Sequence, residues 1–220
     1  MGALDGDRFS NTHAFYSSPD LGWKGVNVEV DPDNYAKLAI NRKNDIANVH
    51  AAVCSDLQTI HFAPGKTGAV GGIWEFTTPD YRDKWWQGVT IEDTVPVQCA
   101  PLNVILDQVL GPKNHYFDFW SLDVEGAELS VLQGVDFDKV GFGMIVVESH
   151  HNTPLAAMDE EIIKLLNENG YRLITDREKH CNQETMLSNK GPGRDNWFIN
   201  EDFGKIYAAY DADQRRNLRG

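Results

Sequence analysis

Cysteine and positive charge are both in short supply in this 220-residue chain, and each shortage excludes a class of protein. Its 3 cysteines, Cys54, Cys99 and Cys181, are odd in number, far apart and without a CxxC pair, so neither a disulfide framework nor a zinc site is expected. With no Asn followed two residues later by Ser or Thr, that pattern points to a reducing, cytoplasmic setting. Lys and Arg number 20 against 33 Asp and Glu, a net charge of -13. Such a balance argues against nucleic acid as a partner, because a phosphate backbone needs a positive surface. No apolar run approaches the roughly 20 residues of a membrane span, so no membrane segment is expected in this chain, and no signal-peptide pattern opens it. The 41% of hydrophobic residues are enough to build a globular core.

The chemistry concentrates in residues 117–134, FDFWSLDVEGAELSVLQG. Phe117, Phe119 and Trp120 open it as a short apolar run, which reads as a parallel strand buried on both faces. A polar turn with Asp123, Glu125 and Gly126 follows, then a helix whose inner face is Leu129, Val131 and Leu132. Glu125 and Glu128 suit the positive end of that helix. Carboxylates at the carboxyl end of a parallel strand stand where open α/β sheets bind ligands, so Asp123 and Glu125 mark a site, against the alternative of an ordinary capping turn.

The chain starts with GALDGDRFSNT, whose Gly2 and Gly6 can let backbone approach a ligand closely, although the spacing is not that of a dinucleotide loop. GVNVEV then forms a strand ending near Glu29, followed by Asp31 as N-cap and Pro32 in the first turn of a helix. An acidic residue at such a strand end, about twenty residues after a glycine turn, is positioned to accept bonds from ribose hydroxyls. A further strand is expected over Val49–Val53, its tip at Cys54 beside Glu29. Residues 60–98 are rich in Gly and Trp and read as an irregular excursion that helps cover a pocket, with a strand over Val89–Val97. A helix over 101–110 leads into the central strand, and a second buried strand, GMIVVE, precedes Ser149, His150 and His151. His150 offers an acid or base that titrates near neutrality, against the plainer reading of a solvated loop. A helix over 159–169 and strands over 171–175 and 197–200 complete the alternation of a parallel α/β sheet, with residues 201–220 as a helical tail.

LDVEGAELSVLQG, PLNVILD with FDFWS, GALDGDRFSNT, GWKGVNVEVDP and VVESH together resemble the FkbM-type S-adenosylmethionine-dependent methyltransferases, in the eukaryotic branch that includes Star. The resemblance implies an α/β fold of the class I methyltransferase (Rossmann-like) kind over residues 1–200, a mostly parallel sheet with helices on both faces. It implies that Gly2, Ala3 and Gly6 cradle the methionine part of S-adenosylmethionine, Glu29 holds the ribose, Val53 and Cys54 lie near the adenine, and Asp123 sits by the sulfonium. In such enzymes an apolar strand precedes the glycine turn, where this chain has only Met1; the N-terminal strand is expected to be missing, with possible self-association through the open edge.

The expected activity is methyl transfer to an oxygen nucleophile of a small molecule or glycan acceptor, with Asp123 and His150 as candidates for taking the hydroxyl proton. The alternative is a non-catalytic binding module of the same fold acting in protein trafficking. A weaker third reading makes Asp123 and Glu125 a DxE metal site of a sugar-nucleotide enzyme.

Overall fold

Residues 1–65, 70–149, 156–174 and 195–205 of the protein are described by a computed structural model. A one-turn helix α1, His13–Ser17, precedes strand β1, Val26–Glu29. Helix α2, Pro32–Asn41, starts where the sequence prescribes: the Asp31 carboxylate accepts from the Asp33 and Asn34 N–H groups, and Pro32 occupies the first turn. Arg42 closes α2 and is buried with Asp45, its Nε 2.7 Å from the Asp45 carboxylate. The same guanidinium reaches back to the Gly6 carbonyl and the Ser10 and Thr12 hydroxyls, tying the N-terminal loop to α2.

Strand β2, Ala47–His50, runs parallel to β1 with Val26 opposite Ala47. The single strand expected over Val49–Val53 divides here. Ala51 N–H still bonds the Glu29 carbonyl, but β3, Ala52–Val53, pairs in another sheet with β6, Val95–Ala100. The reason is a second small core: Ala52 and Cys54 turn inward against Ile60, Phe62, Ile73 and Cys99. Strands β4, Gln58–Ala63, and β5, Gly72–Ile73, complete that sheet in the order β3-β6-β4-β5. Helix α3, Pro79–Trp85, follows β5, capped by the Thr78 hydroxyl. The strand expected from Val89 begins only at Val95, because the Asp93 carboxylate takes the Thr90 N–H and hydroxyl and winds Ile91–Asp93 into a 3-10 turn.

The main core is built by α4, Leu102–Leu110; β7, His115–Leu122; α5, Glu128–Gln133; β8, Val140–Val147; α6, Ala156–Glu168; β9, Arg172–Leu173; and β10, Asn196–Ile199. Their strands form the order β7-β8-β10-β9, with β7 and β8 parallel and β10 antiparallel to both of its neighbours. Leu122, Leu132, Ile145, Val147, Leu166 and Phe198 are completely or almost completely buried there, each contributing roughly 1.5–3 kcal/mol by its removal from water.

Two expectations need correction. The strands do not form one mostly parallel sheet: they divide into three sheets, and of the described pairings only β1 with β2, β3 with β6, and β7 with β8 are parallel. The 60–98 excursion supplies antiparallel pairings through β4, which has no counterpart in a parallel α/β alternation. Cysteine spacing also misled: Cys54 and Cys99 are joined in a disulfide, brought together because Ala52 lies opposite Cys99 in the β3–β6 register. The cysteine argument for a reducing setting falls with it. Among the described residues no helix is long and apolar enough to cross a membrane. Most of the expected C-terminal tail lies outside the described residues.

Candidate functional site

The carboxyl ends of β1, β3 and β7 converge with the N-terminal turn on a cavity of about 350 Å³. Its lining includes Gly2, Glu29, Val53, Phe62, Gly72 and Asp123, drawn from segments far apart in the sequence. The size lies in the range of small-molecule sites.

Gly2 has a positive φ of 66°, and a Cβ there would overlap the Asp123 carbonyl oxygen, so only glycine allows this close approach. Gly6, φ 76°, is closed in by Leu38 and Arg42 instead; it shapes the turn without lining the cavity. Ala3 donates its N–H to the Val28 carbonyl, 3.3 Å, and the Met1 ammonium donates to the Ser121 carbonyl, 2.7 Å. Burial pushes the Met1 amine down to about 6, with the Asp123 and Glu29 charges opposing.

Glu29 is almost completely buried, and its two oxygens accept from the Leu4 and Asp31 N–H groups at 2.8 and 2.9 Å. Burial raises its pKa while those two bonds pull it back. Each carboxylate oxygen retains a second lone pair, so the main-chain bonds orient the group without exhausting it. Val53 contributes an apolar wall with Phe62 and Ile73. Cys54 is not among the residues that line the cavity, its sulfur being held in the disulfide with Cys99; Val53 and Ala52 beside it do line it.

Asp123 lies deep, hydrogen-bonded to Glu148 from the end of β8. Burial raises both pKa values well above the ordinary carboxylate range; the mutual charge repulsion of the pair adds to the shift of Glu148. The two carboxyls therefore tend to hold one proton between them. The Glu148 Oε2 is buried without a hydrogen-bond partner among the described residues. Glu128 brings a third carboxylate, fully buried, and single oxygens of Asp123, Glu128 and Glu148 lie within 4.8 Å of one another. Glu128 also accepts from the Val124 and Gly126 N–H groups, fixing the turn between β7 and α5.

Glu125 does not join that group. Its backbone has φ 57°, a left-handed conformation that costs about 1–3 kcal/mol in a residue with a side chain, and its carboxylate accepts from the Tyr81 hydroxyl at 2.8 Å. A DxE pair of Asp123 with Glu125 is therefore not what the fold assembles. Burial, then the Glu125 charge, push the Tyr81 phenol far up, so it remains a donor. Tyr81 also approaches the Val70 carbonyl, which accepts from the Trp86 indole at 2.7 Å, and this hairpin carries Gly71 and Gly72 to the cavity wall. His150 lies outside the described residues.

The sequence reading missed Glu148 and Tyr81. Glu148 ends a buried strand beside the one that ends at Asp123, and the logic that singled out Asp123 applies to it. Nothing in the spacing of residues 60–98 singles out Tyr81.

A glycine turn, an acidic residue closing β1 and a carboxylate pair following β7 and β8 thus meet in this α/β arrangement. A family profile for the methyltransferase FkbM domain matches residues 1–173, and the chain belongs to that family of methyltransferases. No curated protein and no solved structure matches it.

Proposed function

We propose that the chain is an S-adenosylmethionine-dependent methyltransferase of the class I type, acting on a hydroxyl of a small molecule or glycan. The observation that carries this reading is the convergence of Gly2, Glu29, Val53 and Asp123 on one cavity. The residues fit the cofactor: a glycine turn packed against the Asp123 backbone at the cavity, an acidic group for a ribose, and an apolar wall for a base. When bound, S-adenosylmethionine supplies a methyl group already activated on a cationic sulfur. The protein then has two tasks, alignment and proton removal.

Asp123, charged and desolvated, favours a cation at the carboxyl end of β7. Asp123, which lines the cavity, is also the base we assign to the acceptor hydroxyl. His150 stays a second candidate for that proton. Glu29 fixes the turn at Leu4 and the start of α2 in the geometry a nucleoside needs. Residues 1–200 form the methyltransferase unit in this reading, with the remainder as a tail, and the chain falls in the Star-like branch. The buried Cys54–Cys99 disulfide supports maturation in an oxidising compartment over the cytoplasmic setting first expected. A second reading, a binding module that keeps the fold without turnover, is favoured by one observation: both Glu29 oxygens already take main-chain N–H groups. Calorimetry with S-adenosylhomocysteine tests the cofactor site; conversion of S-adenosylmethionine to S-adenosylhomocysteine, with its methyl group passing to an acceptor hydroxyl, separates enzyme from binding module.

A further inference from the structure

The stretch between Cys54 and Cys99 folds around a core of its own. Cys54, Ile60, Phe62, Ile73 and Cys99 pack together there, apart from the main core. The chain enters this unit at Val53 and leaves it at Ala100, two residues that lie opposite each other in the β3–β6 register and pack with the main core. The disulfide joins the residues that adjoin them on the inner side of the unit, Cys54 and Cys99. Both connections to the body therefore run side by side and are stapled together, which gives them one common axis. That axis is fixed to the body at the end of α5: a Cβ at Gly134 would lie 2.5 Å from the Cys54 carbonyl oxygen.

The far end of the unit is held in a different way. Tyr81 of α3 donates its hydroxyl to the Glu125 carboxylate at 2.8 Å, and a Cβ at Gly72 would come within 3.5 Å of the Glu125 Cβ. These contacts reach one polar turn of the body, whereas the axis is covalent and packed. Glu125 has φ 57°, a conformation that persists in a residue with a side chain only where its surroundings hold it. The 350 Å³ cavity lies between the two ends, with Val53 at the axis, Phe62 and Ile73 from the unit, and Glu29 and Asp123 from the body. A small-molecule site buries most of its ligand's surface. A nucleoside held between Phe62 and Glu29 is thus enclosed by walls that have to part to admit it.

We propose that residues 54–65 and 70–99 form a lid that swings about the Val53–Ala100 crossing, with the Tyr81–Glu125 hydrogen bond as its latch, and that the cofactor enters and leaves through its opening. Closure of this kind moves a packed unit as a body and changes the backbone at a few terminal positions only. The disulfide holds the two crossings together, so the lid opens without unravelling its small core. The identity of the ligand rests on the cofactor reading above; the motion does not.

Gly72 is buried, so a thiol placed there by Gly72→Cys reports each opening through its rate of alkylation by iodoacetamide, read at that residue by mass spectrometry. Adding Tyr81→Phe should raise the rate about tenfold, as loss of a hydrogen bond to a charged group implies. Hydrogen exchange of the paired β4 and β6 amides should stay as slow as before. Equal alkylation rates would overturn the latch, and β4 and β6 exchange that keeps pace with alkylation would replace the lid by local unfolding. A second arm locks the lid. A Cβ–Cβ separation of 3.5 Å suits a disulfide. The oxidised Gly72→Cys/Glu125→Cys pair is therefore compared with Gly72→Ser/Glu125→Ser, both in a Cys181→Ser background. Association of S-adenosylhomocysteine should be slower in the locked form by about tenfold or more. Equal association rates would overturn the proposal. A wild-type chain that binds no S-adenosylhomocysteine contradicts the cofactor reading instead, and the alkylation rates then decide the lid by themselves.

Discussion

The Tyr81 hydroxyl donates to the Glu125 carboxylate at 2.8 Å across 44 positions of sequence, joining the irregular 60–98 segment to the turn that follows β7. Glu125 holds a left-handed backbone there, and a Cβ added at Gly72 would come within 3.5 Å of the Glu125 Cβ. The hairpin that walls the cavity is thus anchored on the one turn that carries Asp123.

Removing that anchor is the first test. Tyr81→Phe leaves the ring in place and strips the donor from a carboxylate, a loss of about 1.5–3 kcal/mol for a bond to a charged group. We expect Tm to fall by several degrees and S-adenosylhomocysteine affinity to drop about tenfold, read by calorimetry. Unchanged affinity with a lowered Tm would make the contact structural only.

The disulfide makes a chemical prediction. Joining Cys54 to Cys99, 45 residues apart, removes roughly 4 kcal/mol of chain entropy from the unfolded state. Reductant, or Cys99→Ser, should lower Tm markedly. Thiol titration of denatured protein should find one thiol per chain before reduction and all 3 cysteines after it. Finding all of them without reductant would contradict the pairing.

Proton binding by Glu148 sets a pH dependence with a definite sign. Its folded pKa is raised, chiefly by burial and then by Asp123, so the folded state holds a proton that the unfolded state releases above the ordinary carboxylate range. The stabilisation is complete below that range and is lost as pH climbs toward the folded value. Glu148→Gln removes this dependence and should melt higher than wild type at pH 8, by an amount that shrinks toward pH 4. A pH-independent difference between the two would refute it.

Arg42 is the fourth position. It is almost completely buried with Asp45 and holds the Gly6 carbonyl. Arg42→Ala leaves a buried charge unpaired, a change that typically costs about 3–5 kcal/mol, and frees the N-terminal loop. Urea unfolding should show that loss.

Helix α2 was legible because Asp31 and Pro32 state its start locally, and β7 with α5 because the shift from aromatic run to polar turn to leucine spacing is confined to adjacent residues. Gly2, Glu29, Val53 and Asp123, which line one cavity, were named beforehand through the resemblance to the family. The Cys54–Cys99 pairing was not, since it depends on a parallel register between β3 and β6 that spacing cannot supply. Tyr81 escaped for the same reason: its partner Glu125 is fixed by how the hairpin folds back. Glu148 was hidden by its apolar strand, since a carboxylate there shows its meaning only once β8 lies beside β7.

The cavity proposed to take the cofactor is central, and Glu29 tests it most directly. Glu29→Gln keeps one acceptor oxygen, enough for one of the two backbone bonds, and loses the charge, and Glu29→Ala loses both oxygens. Isothermal calorimetry with S-adenosylhomocysteine should show saturable one-to-one binding to the wild-type chain, weakened about 10- to 100-fold in Glu29→Gln and more in Glu29→Ala, in line with roughly 1.5–3 kcal/mol for each charge-assisted bond. A wild-type chain that binds no S-adenosylhomocysteine, or that binds it as tightly after both substitutions, would contradict the assignment of this cavity.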